Sequence, residues 1–303
     1  MEHGAEPDGE TARGRDVILR RPSVGETRIC PKGARGNRVG RIVSERKGAT
    51  LHYLERMTFP QVGRLAARTE LALLPVGPPE AHGPHLPVGT DQIAALELCE
   101  RAASSLGARG VECVIAPLLP YCLAEVASPF PGTISVRAEL VAALVADICR
   151  GLARSGFRRT LIVSGHAEEE NLAALRAGSG EAKQAGALAE VSRWYGEALP
   201  RSLHLLREEH PEYDLHAGEW ETALVLLRAP WLVDRAALEA LRPNWETRNI
   251  SELRAGGART FPELGAPEAY CGDPRRAVPA TAEGLYAALG EFVAEEAISL
   301  HRS

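Results

Sequence analysis

Three short segments of this 303-residue chain concentrate side chains that bind cations and move protons. The first is Glu80-Ala81-His82-Gly83-Pro84-His85, followed by Asp91. The second is Gly165-His166-Ala167-Glu168-Glu169-Glu170-Asn171. The third is His216-Ala217-Gly218-Glu219-Trp220-Glu221-Thr222. Carboxylates gathered into one cleft repel and raise one another's pKa. A divalent cation removes that repulsion. Neutral imidazole with carboxylate is a donor set for zinc, manganese or iron, in one or two ions. No cysteine falls in these segments, which argues against a thiolate site. Each residue alone also fits a plainer role. Asp91 reads as a first-turn acid after Thr90, residues 168–170 as a solvated acidic run at a helix start, and Gly83, Pro84 and Pro87 as turn formers. The coincidence of E-x-H, a downstream Asp, G-H after an apolar run and H-x-x-E favours a metal site.

A frame must bring these segments together. Residues 71–77 (LALLPVG), 111–117 (VECVIAP) and 158–164 (RRTLIVS) are apolar runs typical of strands buried on both faces. Residues 90–106 carry apolar side chains at helical spacing. Residues 135–155 do so most clearly, through Val136, Leu140, Val141, Leu144, Val145, Ile148 and Leu152. Residues 217–227 read as a helix, and Thr281 as the cap of a last helix carrying Leu285, Leu289, Phe292 and Val293. Strands alternating with helices predict a single α/β domain over 51–303 on a mainly parallel sheet. Ligand-binding loops of such sheets lie beyond the carboxyl ends of the strands. The first two segments follow directly on predicted strands.

Composition narrows the classes. A formal net charge of −5 argues against nucleic-acid binding. No apolar run approaches the roughly 18 residues of a membrane span. No secretory pattern opens the chain. The six cysteines form no C-x-x-C pair and read as reduced thiols of a cytoplasmic protein. Residues 1–50 hold 11 Lys and Arg, 7 Asp and Glu, 8 glycines and no Phe, Trp or Tyr, so they are expected to be a disordered extension.

LPVGPPEAHGPHLPVGTD (residues 74–91) resembles the creatininase (creatinine amidohydrolase) family motif L-P-x-G-S-x-E-Q-H-G-P-H-L-P-x-x-T-D. Further blocks match in order. Pro131-Gly132-Thr133-Ile134-Ser135 resembles P-G-T-x-S, Ser164-Gly165-His166 stands for N-G-H, and the His216 segment resembles H-A-G-E-x-E-T. Gly272-Asp273-Pro274 with Ala280-Thr281-Ala282-Glu283-Gly284 resembles the C-terminal G-D-P and A-T-x-E-x-G. The likeness spans roughly residues 51–300.

That resemblance implies a three-layer α/β/α sandwich and a metal-dependent hydrolase of C–N bonds in amides, cyclic amides or formamides. It also implies a homo-oligomer, for which a hexamer is one form. Glu80, Asp91 and His166 match the ligands of one metal. His82 and Asp91 match those of a second, with Asp91 bridging. His216 matches a proton-transfer residue, and the amides around 131–133 are expected to face the substrate. For the remaining ligand of the second metal, Glu219 is expected; Glu168 and Glu170 are the alternatives. The Gly-His loop departs from the family's N-G-H-G-G-N: Ser164 replaces Asn, and the loop is two residues longer and more acidic. The substrate is therefore not carried over. Two other readings compete: a metallopeptidase trimming a peptide-derived precursor, and a catalytically idle metal-binding scaffold.

Overall fold

The computed structural model describes residues 50–303; the expectation for residues 1–50 lies outside the described residues, Thr50 excepted. Five strands and nine α-helices follow one another there: β1 (His52–Tyr53), α1 (Phe59–Ala66), β2 (Leu71–Val76), α2 (Thr90–Ala108), β3 (Val114–Ile115), α3 (Ala138–Arg154), β4 (Arg159–Ser164), α4 (Glu169–Gln184), β5 (Leu188–Val191), α5 (Trp194–Ser202), α6 (Glu219–Arg228), α7 (Arg235–Ala240), α8 (Ile250–Ala255) and α9 (Pro279–Arg302). The sheet order is β1-β3-β2-β4-β5, and every pairing is parallel.

The apolar runs have their physical reason in the two faces of this sheet. Leu71, Leu73, Ile115, Leu161 and Val163 point to one side, against Leu98 of α2, Leu199 of α5, Leu224 of α6 and Leu289 of α9. Ala72, Leu74, Val76, Val114 and Ile162 point to the other, against Leu65 of α1, Val141 and Val145 of α3 and Leu175 of α4. Alternate residues thus enter opposite cores, and both faces are apolar. The result is the expected α/β/α arrangement. No helix among the described residues is long and apolar enough to cross a membrane.

Two expectations are revised. The strand expected over 111–117 shortens to Val114–Ile115. Pro117 has no N–H for a ladder, so the pairing continues irregularly through Ala116 N to Leu73 O and Leu119 N to Pro75 O. Thr281 does not cap α9, whose N-cap is Val278. Its hydroxyl donates instead to Glu219 Oε1 at 3.1 Å.

A buried ion network sets α6 against α2. Arg228 donates to Glu97 at 2.5 Å and to Glu100 at 2.9 Å, and Arg101 donates to Glu97 at 2.5 Å. Tyr53 of β1 closes it with a 2.8 Å hydrogen bond to Glu100. Buried charges are tolerable only when paired in this way.

The start of α2 is wedged against two strand ends. A Cβ built on Gly77, just past β2, would stand 2.7 Å from the Asp91 carbonyl carbon. One built on Gly165, just past β4, would stand 2.0 Å from the Asp91 oxygen. Glycine at both positions is a requirement of this close approach, which seats Asp91 over the sheet. Gly165→Ala is expected to destabilise the fold by about 1–3 kcal/mol, as overpacking does. Gly180→Ala, in open space on the exposed side of α4, is expected to be neutral or stabilising by up to about 1 kcal/mol. Denaturant unfolding of the two variants checks the contrast.

Candidate metal centre

The loop after β2 carries Glu80 and His82, both with no exposed surface. It is held closed by Glu80 N donating to Val88 O at 2.8 Å and by Ala81 N donating to the Thr133 hydroxyl at 3.0 Å. The 131–133 segment therefore buttresses the ligand loop. Contrary to expectation, none of its residues lines the cavity described below. Asp91 enters from the first turn of α2, and His166 from the turn after β4. Ser164 holds that turn. Its hydroxyl donates to His166 O at 2.6 Å and accepts from His166 N at 3.2 Å, while Asn171 Nδ2 donates to His166 O at 3.4 Å.

These side chains converge on the Asp91 carboxylate from two sides. His166 Nδ1 lies 2.8 Å from Glu80 Oε2 and 3.5 Å from Asp91 Oδ2. His82 Nε2 lies 3.3 Å from Asp91 Oδ1 and 3.6 Å from Glu221 Oε1. The ligand atoms of Glu80, Asp91 and His166, and those of His82, Asp91 and Glu221, each fall within 4.8 Å of one another. One Asp91 oxygen faces each group.

Hydrogen bonds fix which nitrogen each ring presents. His82 Nδ1–H donates to the Glu80 carbonyl at 3.0 Å, which turns Nε2 toward Asp91 and Glu221. His166 Nε2 faces Glu168 at 3.4 Å, leaving Nδ1 toward Glu80 and Asp91. Outer carboxylates and carbonyls orient metal-binding histidines in this manner. Both oxygens of Glu80, Oδ2 of Asp91 and Nε2 of His82 are buried with no hydrogen-bond partner. Buried polar atoms are rarely left so. Burial raises the Asp91 carboxyl above its ordinary range. Burial alone would keep His82 and His166 neutral, but the charges of Asp91 and Glu221 on one, and of Glu80 on the other, outweigh it and draw both rings toward the protonated form. The cluster thus calls for positive charge, and its donor set of imidazole and carboxylate suits a divalent cation.

Glu221 is the residue that reading of the sequence missed, and Glu219 the one it chose instead. The Glu219 carboxylate is turned away from the cluster. It accepts from the backbone amides of Arg207 at 2.7 Å and Glu208 at 2.8 Å, besides Thr281. Spacing explains the difference. His216 lies ahead of α6, which begins at Glu219 behind Gly218 and an Ala217 in the left-handed region at φ 49°. The rule that residues three apart share a helix face does not reach across such a break. Within the helix, 219 and 221 differ by about 200° and face opposite sides. Glu221 Oε2 accepts from Ala217 N at 2.5 Å, which leaves Oε1 toward His82. The break before the helix was the available signal.

The alternatives fall differently. Glu168 accepts from the amides of Glu125 at 3.3 Å and Val126 at 3.2 Å and faces the outer nitrogen of His166. Glu170 is exposed in the first turn of α4. His85, buried, ties the ligand loop to α6 through Thr222 Oγ1 at 2.8 Å.

His216 stands beside the cluster. Its ring lies 4.2 Å from that of His82 and is stacked on Phe261 at 4.2 Å. Nε2–H donates to the Ala81 carbonyl at 2.9 Å. Burial and the neighbouring His82 push its pKa down to about 3, so the ring is neutral with Nδ1 unprotonated. A cavity of about 330 Å³ opens over Glu80, Asp91, His166 and Glu221, walled by Tyr195 and Phe261 among others.

Known proteins share this family and fold. The family model described as creatinine amidohydrolase matches residues 55–297. The chain is 30% identical over 230 residues to the mycofactocin precursor peptide peptidase of Mycolicibacterium smegmatis, an alignment covering 74% of this chain and 83% of that one. It is 31% identical over 191 residues to the creatinine amidohydrolase of Pseudomonas putida, covering 56% and 69%. A solved creatininase described as a manganese form shares the fold with a TM-score of 0.65 at 22% identity, over 84% of this chain and all of the other. With its family motifs on the strand ends of this sheet, the chain belongs to the creatinine amidohydrolase (creatininase) family of hydrolases.

Proposed function

We propose that the chain hydrolyses a C–N bond of a small amide, cyclic amide or formamide at two divalent cations sharing the Asp91 carboxylate. The observation that carries this reading is the pair of Asp91 oxygens, each facing its own imidazole and carboxylate. Glu80, Asp91 and His166 would hold one cation; His82, Asp91 and Glu221 would hold the other. The donors suit zinc, manganese or iron. The manganese form of the creatininase with the same fold makes manganese the first ion to test.

Bound there, the cations supply Lewis acidity to the scissile carbonyl and acidify a water to near-neutral pKa. His216 would move the proton: its Nδ1, left unprotonated by the Nε2–H bond to the Ala81 carbonyl, would take one from the water and pass it to the leaving nitrogen. Phe261 and His82 hold the ring plane, and the Ala81 carbonyl fixes its tautomer.

A second reading, a peptidase trimming a peptide precursor, is favoured by one observation. The peptidase alignment covers more of both chains than the creatinine amidohydrolase alignment does. Turnover of N-formyl compounds and cyclic amides against short peptides separates the two. An idle scaffold has no need of a complete donor set beneath an open cavity, which supports an enzyme. The five described cysteines are free and buried, which fits a reducing cytoplasm. Leu140 and Leu144, 50% and 44% exposed, share a face of α3. We place a homo-oligomer interface on this surface; Leu144→Glu is expected to reduce the assembly in light scattering.

Elemental analysis of manganese-loaded protein is expected to give two ions per chain. Asp91→Ala should lose both, Glu221→Gln one, and Glu219→Gln neither, though the last should lower the melting temperature because two amides lose their acceptor. Full metal retention in Asp91→Ala sinks the shared-carboxylate arrangement. His216→Ala is expected to keep fold and metal while turnover falls by about 10²–10⁴; loss of metal in that variant would make His216 a ligand.

A further inference from the structure

Above the cation ligands, the cavity has a wall that the proposed hydrolysis leaves unused. Arg254 lines it from α8, and Tyr195 lines it from the first turn of α5. The Arg254 carbonyl accepts from Arg259 Nη1 at 3.2 Å. A few residues on, Phe261 stacks on His216 and donates its backbone N–H to Val126 O at 2.8 Å. The excursion that carries Arg254 is thus pinned to the site.

Both side chains keep their donors free. Among the described residues, no carboxylate forms an ion pair with the Arg254 guanidinium, and no group hydrogen-bonds the Tyr195 hydroxyl. The two share one electrostatic neighbourhood. Burial raises the Tyr195 phenol above its usual range, Glu221 and Asp214 raise it further, and Arg254 acts in the opposite direction. The other charges of the wall are accounted for. Glu80, Asp91 and Glu221 face the cation positions, Glu168 is held by two amides and His166, and Glu169 is exposed at the start of α4. Imidazoles aside, Arg254 is the cationic side chain of this wall.

A guanidinium and a phenolic hydroxyl, both unpaired, are donors that a carboxylate takes well, the guanidinium with two parallel N–H groups. A small neutral cyclic amide leaves both unused. We infer that the substrate carries a carboxylate, bound by Arg254 with Tyr195 while its amide lies at the cation ligands. This rests on the proposed function and specifies its substrate class: an N-acyl or N-formyl amino acid, or the carboxyl end of a peptide.

The test is calorimetric binding to the full-length, manganese-loaded protein. The probes are N-formylglycine and triglycine, each against its own carboxamide. At least one acid is expected to bind about tenfold tighter than its amide, the gain of one charged hydrogen-bonded contact. Arg254→Gln should erase that preference, Arg254→Lys should keep part of it, and Tyr195→Phe should reduce it, all with unchanged manganese content. A preference for N-formylglycine assigns an amino-acid-sized substrate, and one for triglycine a peptide end. Equal binding of acid and amide, no binding of either acid, or a preference that survives Arg254→Gln overturns the inference. A wild-type chain that takes up no manganese fails the proposed function instead. The acid-over-amide comparison, read on that protein by thermal shift, still decides the present inference.

Discussion

The structure turns on a steric contact rather than on a charge. The backbone of Asp91 lies so close to the ends of β2 and β4 that a Cβ on Gly77 or Gly165 would overlap it. This contact places the first turn of α2 over the carboxyl edge of two adjacent strands. Both strands then release their polar loops at the same place, and the Asp91 carboxylate sits between what they deliver: Glu80 and His82 from one, His166 from the other. The third contribution comes from a different layer. Glu221 reaches the cluster because α6 is locked to α2 by Arg228, Glu97 and Glu100, and because His85 and Thr222 join the ligand loop to the same helix.

Two glutamates two residues apart do opposite work on α6. Glu219 faces backbone amides and Thr281 of α9, so its charge is spent on holding the helix start. Glu221 has one oxygen on the Ala217 amide and the other toward His82. The first secures the frame on which the second is aimed. Removing Glu221 should be felt at the cluster itself, and removing Glu219 in the stability of the helix start.

The fold was legible in the sequence because its sheet is buried on both faces. Residues 71–76 and 159–164 have no polar alternation to confuse, and the amphipathic stripe of α3 is long. Glu80, His82, Asp91 and His166 were legible because their loops follow those strands and resemble family motifs. What was not legible depends on backbone geometry that residue types do not encode. The left-handed Ala217 removes His216 from the helical register, so counting three residues from it selects an acid that faces backbone amides rather than the cluster. The use of Thr281 as a partner for Glu219 depends on how α9 meets α6 in space, and spacing along the chain carries no trace of it. The irregular strand after Val111 follows from Pro117, where the missing N–H outweighs an apolar run.

The unpartnered oxygens of Glu80 and Asp91 and the bare Nε2 of His82 also have a thermodynamic meaning. A ligand that binds only the folded chain adds RT ln(1 + [L]/Kd) to its stability, about 2.7 kcal/mol per site at a hundredfold excess over Kd. The two cation positions proposed at Asp91 would make that contribution large against the 5–15 kcal/mol that typically holds a domain folded. On that proposed reading, free cation concentration would set how much folded protein persists as well as how much of it is active, and a chelator would act on this chain as a denaturant.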